Sequence, residues 1–267
     1  GMLTYGIIPS RLPQEVVEQD IQHVKDLGVE FVLNTKVGRD ITIDELKEQG
    51  YAAFFIGIGM WTPKMIDIPG ADLEGVMTAM EFLPAAKSTN GNVEVGENVI
   101  VIGGGDVAMD CAATARLLGA KKVTIVYRRT IEEAPANRAE IEFVQSLGVG
   151  FSLQFRPAEI IGKDGKVTAF KAVGVDGESE ILLKADQVIF GIGQEPEDAK
   201  AIAPVELTEK NLIAASEENG YRTNVEGIFA AGDIVNGGKT VVHAVAAGKE
   251  AAESIDEYLT SKKEGAK

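Results

Sequence analysis

The stretch VIVIGGGDVAMDCAATARLLGA, Val99 to Ala120, decides the fold. Val99–Gly103 reads as a short buried strand, and Asp106–Gly119 as a helix closed by its glycine. Between them Gly103-Gly104-Gly105-Asp106-Val107-Ala108 satisfies GxGxxA. A lone match of this kind is weak, but a strand directly before it and a helix directly after it give it weight. Gly103 permits the tight turn, Gly105 lets the backbone approach a pyrophosphate, and Ala108 keeps the helix close to the sheet. The free N–H groups and the positive end of the helix dipole then face the anion. A glycine-rich turn without a ligand is the plainer alternative.

The next strand, KVTIVYRR (Lys122–Arg129), bears on which nucleotide is held. An NAD site closes its second strand with an acid that accepts from the ribose 2′-hydroxyl. Here the strand ends Tyr127-Arg128-Arg129, so two guanidinium groups stand where a 2′-phosphate would sit. Charge-assisted contacts contribute about 1.5–3 kcal/mol each. Two of them favour NADP(H) over NAD(H) by roughly 10²–10⁴. A solvated basic strand end is the competing explanation, and Arg138 is a further candidate for the same phosphate.

Outward from this core, strands and helices continue to alternate. Gln14–Leu27 has apolar residues at helical spacing (Val16, Val17, Ile21, Val24 and Leu27), and VEFVLNTKVG from Val29 reads as a strand. Ile43–Gln49 is a short helix, Tyr51–Gly59 a buried strand, and a looser region follows, punctuated by Gly70 and Pro84. Ser88–Asn98 is a polar linker and a domain boundary. After the helix Arg138–Gly148, residues 149–183 turn into alternating strands with GKDGK and DGESE turns, an antiparallel meander. Ala185–Gly193 is another buried strand. YAAFFIGIGMWTP and ADQVIFGIGQEP echo each other, each an apolar strand ending in GIG with a proline soon after. Two similar α/β units explain the echo; chance likeness of two buried strands is the alternative. Gly59 and Gly193, at the two GIG ends, are candidate cofactor contacts.

The chain has 267 residues, enough for two modest domains, with 45% hydrophobic and 25% charged residues, a globular mix. A formal charge of −15 argues against nucleic acid or an anionic membrane as partner. No apolar run approaches a membrane span, and no segment has the order of a secretory signal. The single cysteine, Cys111, excludes an internal disulfide framework or CxxC pair and points to the cytoplasm. No metal site can be assembled.

The second informative block is GIFAAGDIVNGGKTVVHAVAAGKEAAESI, Gly227 to Ile255. A short apolar strand runs into Gly232-Asp233, and a glycine turn leads into a long helix beginning near Lys239 or Thr240. This block resembles the C-terminal flavin motif of flavoproteins with two dinucleotide-binding domains. Together with VIVIGGGDVAMDCAATARLLGA, YRRTIEEAPA and an opening like YGIPxxRLP, it makes the chain similar to the NADPH-dependent glutamate synthase small-subunit family. That family includes ferredoxin–NADP reductase subunits and the reductase part of dihydropyrimidine dehydrogenase. The likeness runs from Leu3 to about Leu259.

The resemblance implies an α/β fold of two Rossmann-like units: a three-layer, mainly parallel sheet with an antiparallel meander, the NADP domain inserted in a partial FAD domain. Residues 1–88 and 197–267 would be the FAD segments and 89–196 the NADP(H) domain. Asp233 would bind the FAD ribityl chain, with Gly232 at the turn and Thr240 and Val241 at the helix start facing the flavin ring. Hydride would pass from NADPH to FAD, and electrons would leave toward an iron–sulfur domain, a glutamate synthase large subunit or a ferredoxin.

Three departures stand beside it. The family's N-terminal GxGxxG for the FAD pyrophosphate and its iron–sulfur cysteines are not in these 267 residues, so the chain looks like a fragment. The opening reads GIIPSRLP without the usual aromatic before the arginine, and EEAPA replaces EEMPA.

Other candidates are weaker. Cys111 is a packing residue or a thiol activated near a helix N-terminus. His23 and His243 are isolated, the latter nearer the expected flavin end. Trp61 and Pro63 line a cofactor entrance or belong to a covering loop. Tyr258 and Lys262 match YxxxK but lie in a polar tail. Two rival functions remain open: a module that binds NADP(H) and catalyses nothing alone, and a flavin-free dehydrogenase.

Overall fold

The computed structural model describes residues 1–88 and 93–265. In chain order the helices are α1 (Met2–Tyr5), α2 (Gln14–Asp26), α3 (Ile43–Glu48), α4 (Ala79–Ser88), α5 (Asp106–Leu117), α6 (Arg138–Ser146), α7 (Asp233–Asn236) and α8 (Val241–Gly265). The strands are β1 (Phe54–Ile56), β2 (Thr62–Pro63), β3 (Val76–Thr78), β4 (Asn98–Ile102), β5 (Lys122–Tyr127), β6 (Gly150–Leu153), β7 (Phe155–Lys163), β8 (Lys166–Gly174), β9 (Glu180–Lys184), β10 (Gln187–Phe190), β11 (Gln194–Glu195) and β12 (Ile228–Ala230). Contacts divide the chain into two units: residues 1–29 with 63–193, and residues 30–62 with 194–267. Each GIG segment ends within four residues of a crossing, Gly59 in the second unit and Gly193 in the first, so the internal echo falls one copy to each unit.

The first unit is a five-stranded parallel sheet in the order β3-β10-β4-β5-β6. β4 and β5 are mostly apolar, as strands covered on both faces are, and Val99–Ile102 and Val123–Val126 are buried. α5 packs against them with small side chains: Ala108, Ala112, Ala113 and Ala115 are all at most 1% exposed. α6 starts at Asn137, whose side chain accepts from the Ala139 N–H, and buries Ile141 and Val144. The meander is present as β7-β8-β9, all antiparallel. Asp164 and Gly165 both have positive φ, 53° and 82°, which a two-residue hairpin of right-handed twist requires.

Two readings of this region differ from what forms, and a third lies partly outside the described residues. Gly150–Leu153 pairs in parallel with β5 instead of opening the meander. The region around Pro84 forms a helix, α4, and Val76–Thr78 pairs with β10. Here burial of Phe82 and Leu83 outweighs the cost of an internal proline. The expected linker 88–98 falls partly outside the described residues. These pairings place residues 63–88 with the parallel sheet, whereas the sequence reading grouped 1–88 together.

The second unit contains the parallel pair β1-β12, with Phe54 opposite Ile228 and Ile56 opposite Ala230. Its core gathers Ile56, Val205, Ile213, Ile228 and Ile234. α3 is started by a full capping box between Thr42 and Glu45. α8 lies on β12 through Ala247 and Ala251, packed with Ala231, and through Tyr258, edge-on to Phe229 at 5.8 Å. The strand expected from Val29 does not form, and only an isolated bridge, Val37 to Ile41, is present there. A strand needs a ladder partner, and among the described residues the two-stranded sheet of β1 and β12 takes in no residue of this segment. Val32 and Leu33 are consequently 68% and 73% exposed.

Candidate functional site

The turn between β4 and α5 is held so that its inner side is open to a ligand backbone. Gly103 sits at φ 142°, and a Cβ there would lie 2.2 Å from the Gly191 carbonyl oxygen. No L side chain fits that position. At Gly104 a Cβ would meet the Tyr127 ring at 2.5 Å. Gly105 caps α5 in extended conformation with no side-chain cap, and Asp106 and Val107 form the first turn. No acceptor among the described residues takes the N–H groups of Gly104, Gly105, Asp106 or Val107. That is the arrangement of orphan donors and helix dipole that favours an anion.

The third position of the motif does what its chemistry predicts. Ala108 is fully buried, and a Cβ on Gly191 would come within 3.0 Å of the Ala108 Cα. Helix and strand therefore touch backbone to backbone at Gly103, Ala108 and Gly191. Gly191 escaped the sequence reading, which named Gly193; its one signal was its place directly after a buried strand. Gly193, at φ 94°, has open space where a Cβ would point and accepts from the Lys64 N–H.

Residues 128–137 close over the outer side of the loop. Ala136 N–H donates to the Gly104 carbonyl at 3.1 Å, Asn137 N–H to the Asp106 carboxylate at 2.8 Å, and the Tyr127 hydroxyl to the Glu133 carbonyl at 3.2 Å. Thr130 donates to Glu133 through both N–H and hydroxyl, which holds that carboxyl below its usual range. Arg128 and Arg129 are exposed at the start of this segment, and neither guanidinium makes a hydrogen bond or ion pair among the described residues. Both remain available to an incoming phosphate. Arg138, by contrast, pairs with Glu142 at 3.0 Å.

In the second unit Gly232, at φ 79° and ψ −153°, turns the chain at the end of β12, and Asp233 follows. One oxygen of Asp233 accepts from the Lys239 N–H at 3.1 Å, fixing the glycine turn ahead of α8. Thr240 hydrogen-bonds the His243 ring at 2.7 Å, and Val241 is exposed at the helix start. Gly59, at φ 67°, begins a turn in which Met60 reaches Gly238. Trp61 and Gly59 line a cleft of about 840 Å³ whose other wall includes Thr35, Lys36 and Glu197. Pro63 is not part of it.

Cys111 is fully buried, and that burial, with the Asp110 carboxylate beside it, pushes its thiol well up, the opposite of an activated thiol. Among the described residues no cluster of His, Cys, Asp and Glu is placed to hold a metal ion, and no helix is long and apolar enough to cross a membrane.

Comparison with known proteins follows the same lines. Residues 15–248 match the family described as pyridine nucleotide-disulphide oxidoreductase. The chain belongs to that family. Within this oxidoreductase family it is 38% identical over 260 residues to the NAD-dependent dihydropyrimidine dehydrogenase subunit PreT of Escherichia coli K12, covering 97% of this chain and 60% of that protein. It is 36% identical over 289 residues to the glutamate synthase [NADPH] small chain of the same organism, covering 97% and 61%. The chain thus spans about 60% of the length of these relatives. Among solved structures, Mycobacterium tuberculosis FprA in complex with NADPH superposes with a TM-score of 0.75 at 19% identity, over 100% of this chain and 76% of that one. Thioredoxin reductase of T. acidophilum gives 0.65 at 24% identity, over 78% and 66%. These two likenesses carry the fold, which is the α/β, Rossmann-like one expected.

Proposed function

We propose that the chain is a pyridine-nucleotide module of a flavoprotein oxidoreductase, in which the first unit binds NADP(H) and the second supplies part of an FAD site. The observation that carries this reading is the glycine cradle at Gly103–Val107 with two exposed guanidinium groups, Arg128 and Arg129, that make no hydrogen bond or ion pair among the described residues at the end of β5. When bound, the nicotinamide supplies a hydride and the flavin accepts it. The residues of the chain bind and orient. Gly104 to Val107 offer N–H groups to the pyrophosphate, and Arg128 and Arg129 offer paired donors to the 2′-phosphate. Asp233 keeps one carboxylate oxygen without a hydrogen-bond partner among the described residues, which suits a polyol hydroxyl. Gly232, Thr240, Val241 and Gly59 would surround it.

Relatives named for NADPH and for NAD both lie within a few per cent of one another in identity, so overall similarity does not select the nucleotide. The arginine pair does, and it selects NADP(H). Onward transfer of electrons to an iron–sulfur domain, a glutamate synthase large subunit or a ferredoxin, in the cytoplasm, completes the proposal and is supported by the glutamate synthase small-chain likeness.

The test is the visible absorption spectrum of the purified chain after incubation with FAD and desalting. A retained flavin band that bleaches anaerobically on adding NADPH is expected of a working module. Loss of all flavin on desalting would limit the chain to nucleotide binding, and bleaching by NADH but not NADPH would overturn the cofactor assignment.

A further inference from the structure

Beneath the phosphate loop the first unit holds a charged network that the dinucleotide chemistry above does not use. Asp106 and Asp110 lie four residues apart on α5, on one face of its first turns. Asp106 is tied to the start of α6 through the Asn137 N–H. Asp110 is only 6% exposed, and both of its oxygens accept from a single nitrogen, Arg11 Nη1, at 3.1 and 3.2 Å. The same guanidinium reaches Glu140 on α6 through Nε, at 3.4 Å. Arg11 comes from the segment between α1 and α2, and that segment and α1 are pinned a second time where Lys87 Nζ donates to the Ile7 and Leu3 carbonyls at 2.9 and 2.8 Å.

One cation therefore faces three carboxylates, Asp106, Asp110 and Glu140, behind the helix end that must receive an anion. Carboxylates so placed, one buried and two half-buried, repel one another and repel a phosphate in front of them, since charges are less screened where water is partly excluded. A buried ionised group also needs a partner, or its helix shifts toward water.

We propose that Arg11 is a positioning residue of the dinucleotide site, holding α5 and α6 together through Asp110 and Glu140 and neutralising the carboxylates behind the phosphate loop. It touches no nucleotide. The proposal rests on the NADP(H) reading of the loop. It carries a pH signature. Burial outweighs the attraction of Arg11 and pushes the Asp110 carboxyl up to about 6, with Glu140 and Asp106 adding to the rise. Charge is thus added behind the loop as pH rises through that value, and binding of an anion weakens with it.

The experiment is fluorescence titration of NADPH into the whole chain, wild type and Arg11→Met, Arg11→Lys, Asp110→Asn and the Arg11→Met/Asp110→Asn double variant, from pH 5 to 7.5. Arg11→Met is expected to raise Kd about three- to thirtyfold. Arg11→Lys should recover most of the loss. The double variant, in which the buried carboxylate at 110 is gone and only the more exposed Glu140 loses its cation, should return to within about threefold of wild type. The ratio of the Asp110→Asn and wild-type Kd values cancels the titration of the 2′-phosphate itself, and should change about threefold or more across the range. If Arg11→Met fails to fold, the Asp110→Asn ratio and the double variant carry the test. Wild-type binding with unchanged Kd in every variant and a pH-independent ratio would overturn the positioning role alone. A wild type that binds neither NADPH nor NADH would overturn the dinucleotide reading, and this role with it.

Discussion

Gly191→Ala tests whether the contact between α5 and the end of β10 holds the phosphate loop in place. The added Cβ would stand 3.0 Å from the Ala108 Cα, 3.2 Å from its Cβ and 3.3 Å from its nitrogen. Gly191 is not in the left-handed region, so the cost is one of space and not of backbone strain. Two of the three close atoms are helix backbone, which cannot rotate away, so α5 must move out by a few tenths of an ångström. Overpacking of this kind costs about 1–3 kcal/mol. For a unit of this size that is a fall in Tm of roughly 2–12 °C. The loop N–H groups move with the helix, so NADPH affinity should fall as well. Thermal denaturation followed by circular dichroism, with an NADPH titration below the transition, reads both effects. Adding Ala108→Gly removes only the Cβ contact and costs about 1 kcal/mol of its own in the helix, so it should not rescue. A Tm within about 1 °C of wild type, or full rescue by Ala108→Gly, would refute the backbone-contact argument.

Three further outcomes follow from the same contacts. Gly103→Ala places a Cβ 2.2 Å from the Gly191 carbonyl at a φ of 142°, adding backbone strain to overpacking, and should be more destabilising than Gly191→Ala by about 1–3 kcal/mol in denaturant unfolding. Tyr127→Phe removes the hydrogen bond to Glu133 but keeps the ring on Gly104, and should cost about 0.5–1.5 kcal/mol with NADPH binding little changed, whereas Tyr127→Ala should loosen the 128–137 segment and weaken binding. For Asp110 the folded carboxyl titrates near 6, against an ordinary value of 3.8, so the folded chain holds this proton more tightly and loses stability as pH rises between those values. Asp110→Asn should therefore gain Tm relative to wild type from pH 4 to pH 7; an offset that stays constant with pH would contradict the assignment.

The dinucleotide unit was legible in the sequence because its signals are local. An apolar run, three glycines and an alanine-rich helix give strand, turn and helix without reference to anything distant, and Val99–Leu117 forms as read. The GKDGK turn was legible for the same reason, since Asp164-Gly165 supplies the two positive φ values. What was not legible depends on partners far along the chain. The role of Gly191 needs Ala108 beside it, and Arg11 gains meaning only from Asp110, 99 residues away. Gly150–Leu153 joined the parallel sheet because β5 offered an edge, which no alternation pattern records. The segment from Val29 has the composition of a strand but joins none of the sheets among the described residues beyond the single Val37–Ile41 bridge, and propensity alone does not make a ladder. The stripe on α2 likewise buries only Val17.

The most direct test of the account is a side-by-side titration of NADPH and NADH into the purified chain, wild type and Arg128→Ala/Arg129→Ala. Wild type should prefer NADPH by roughly 10²–10⁴, and the double variant should lose that preference while its NADH affinity stays the same. Equal affinities for the two nucleotides in wild type, or discrimination that survives removal of both arginines, would contradict it.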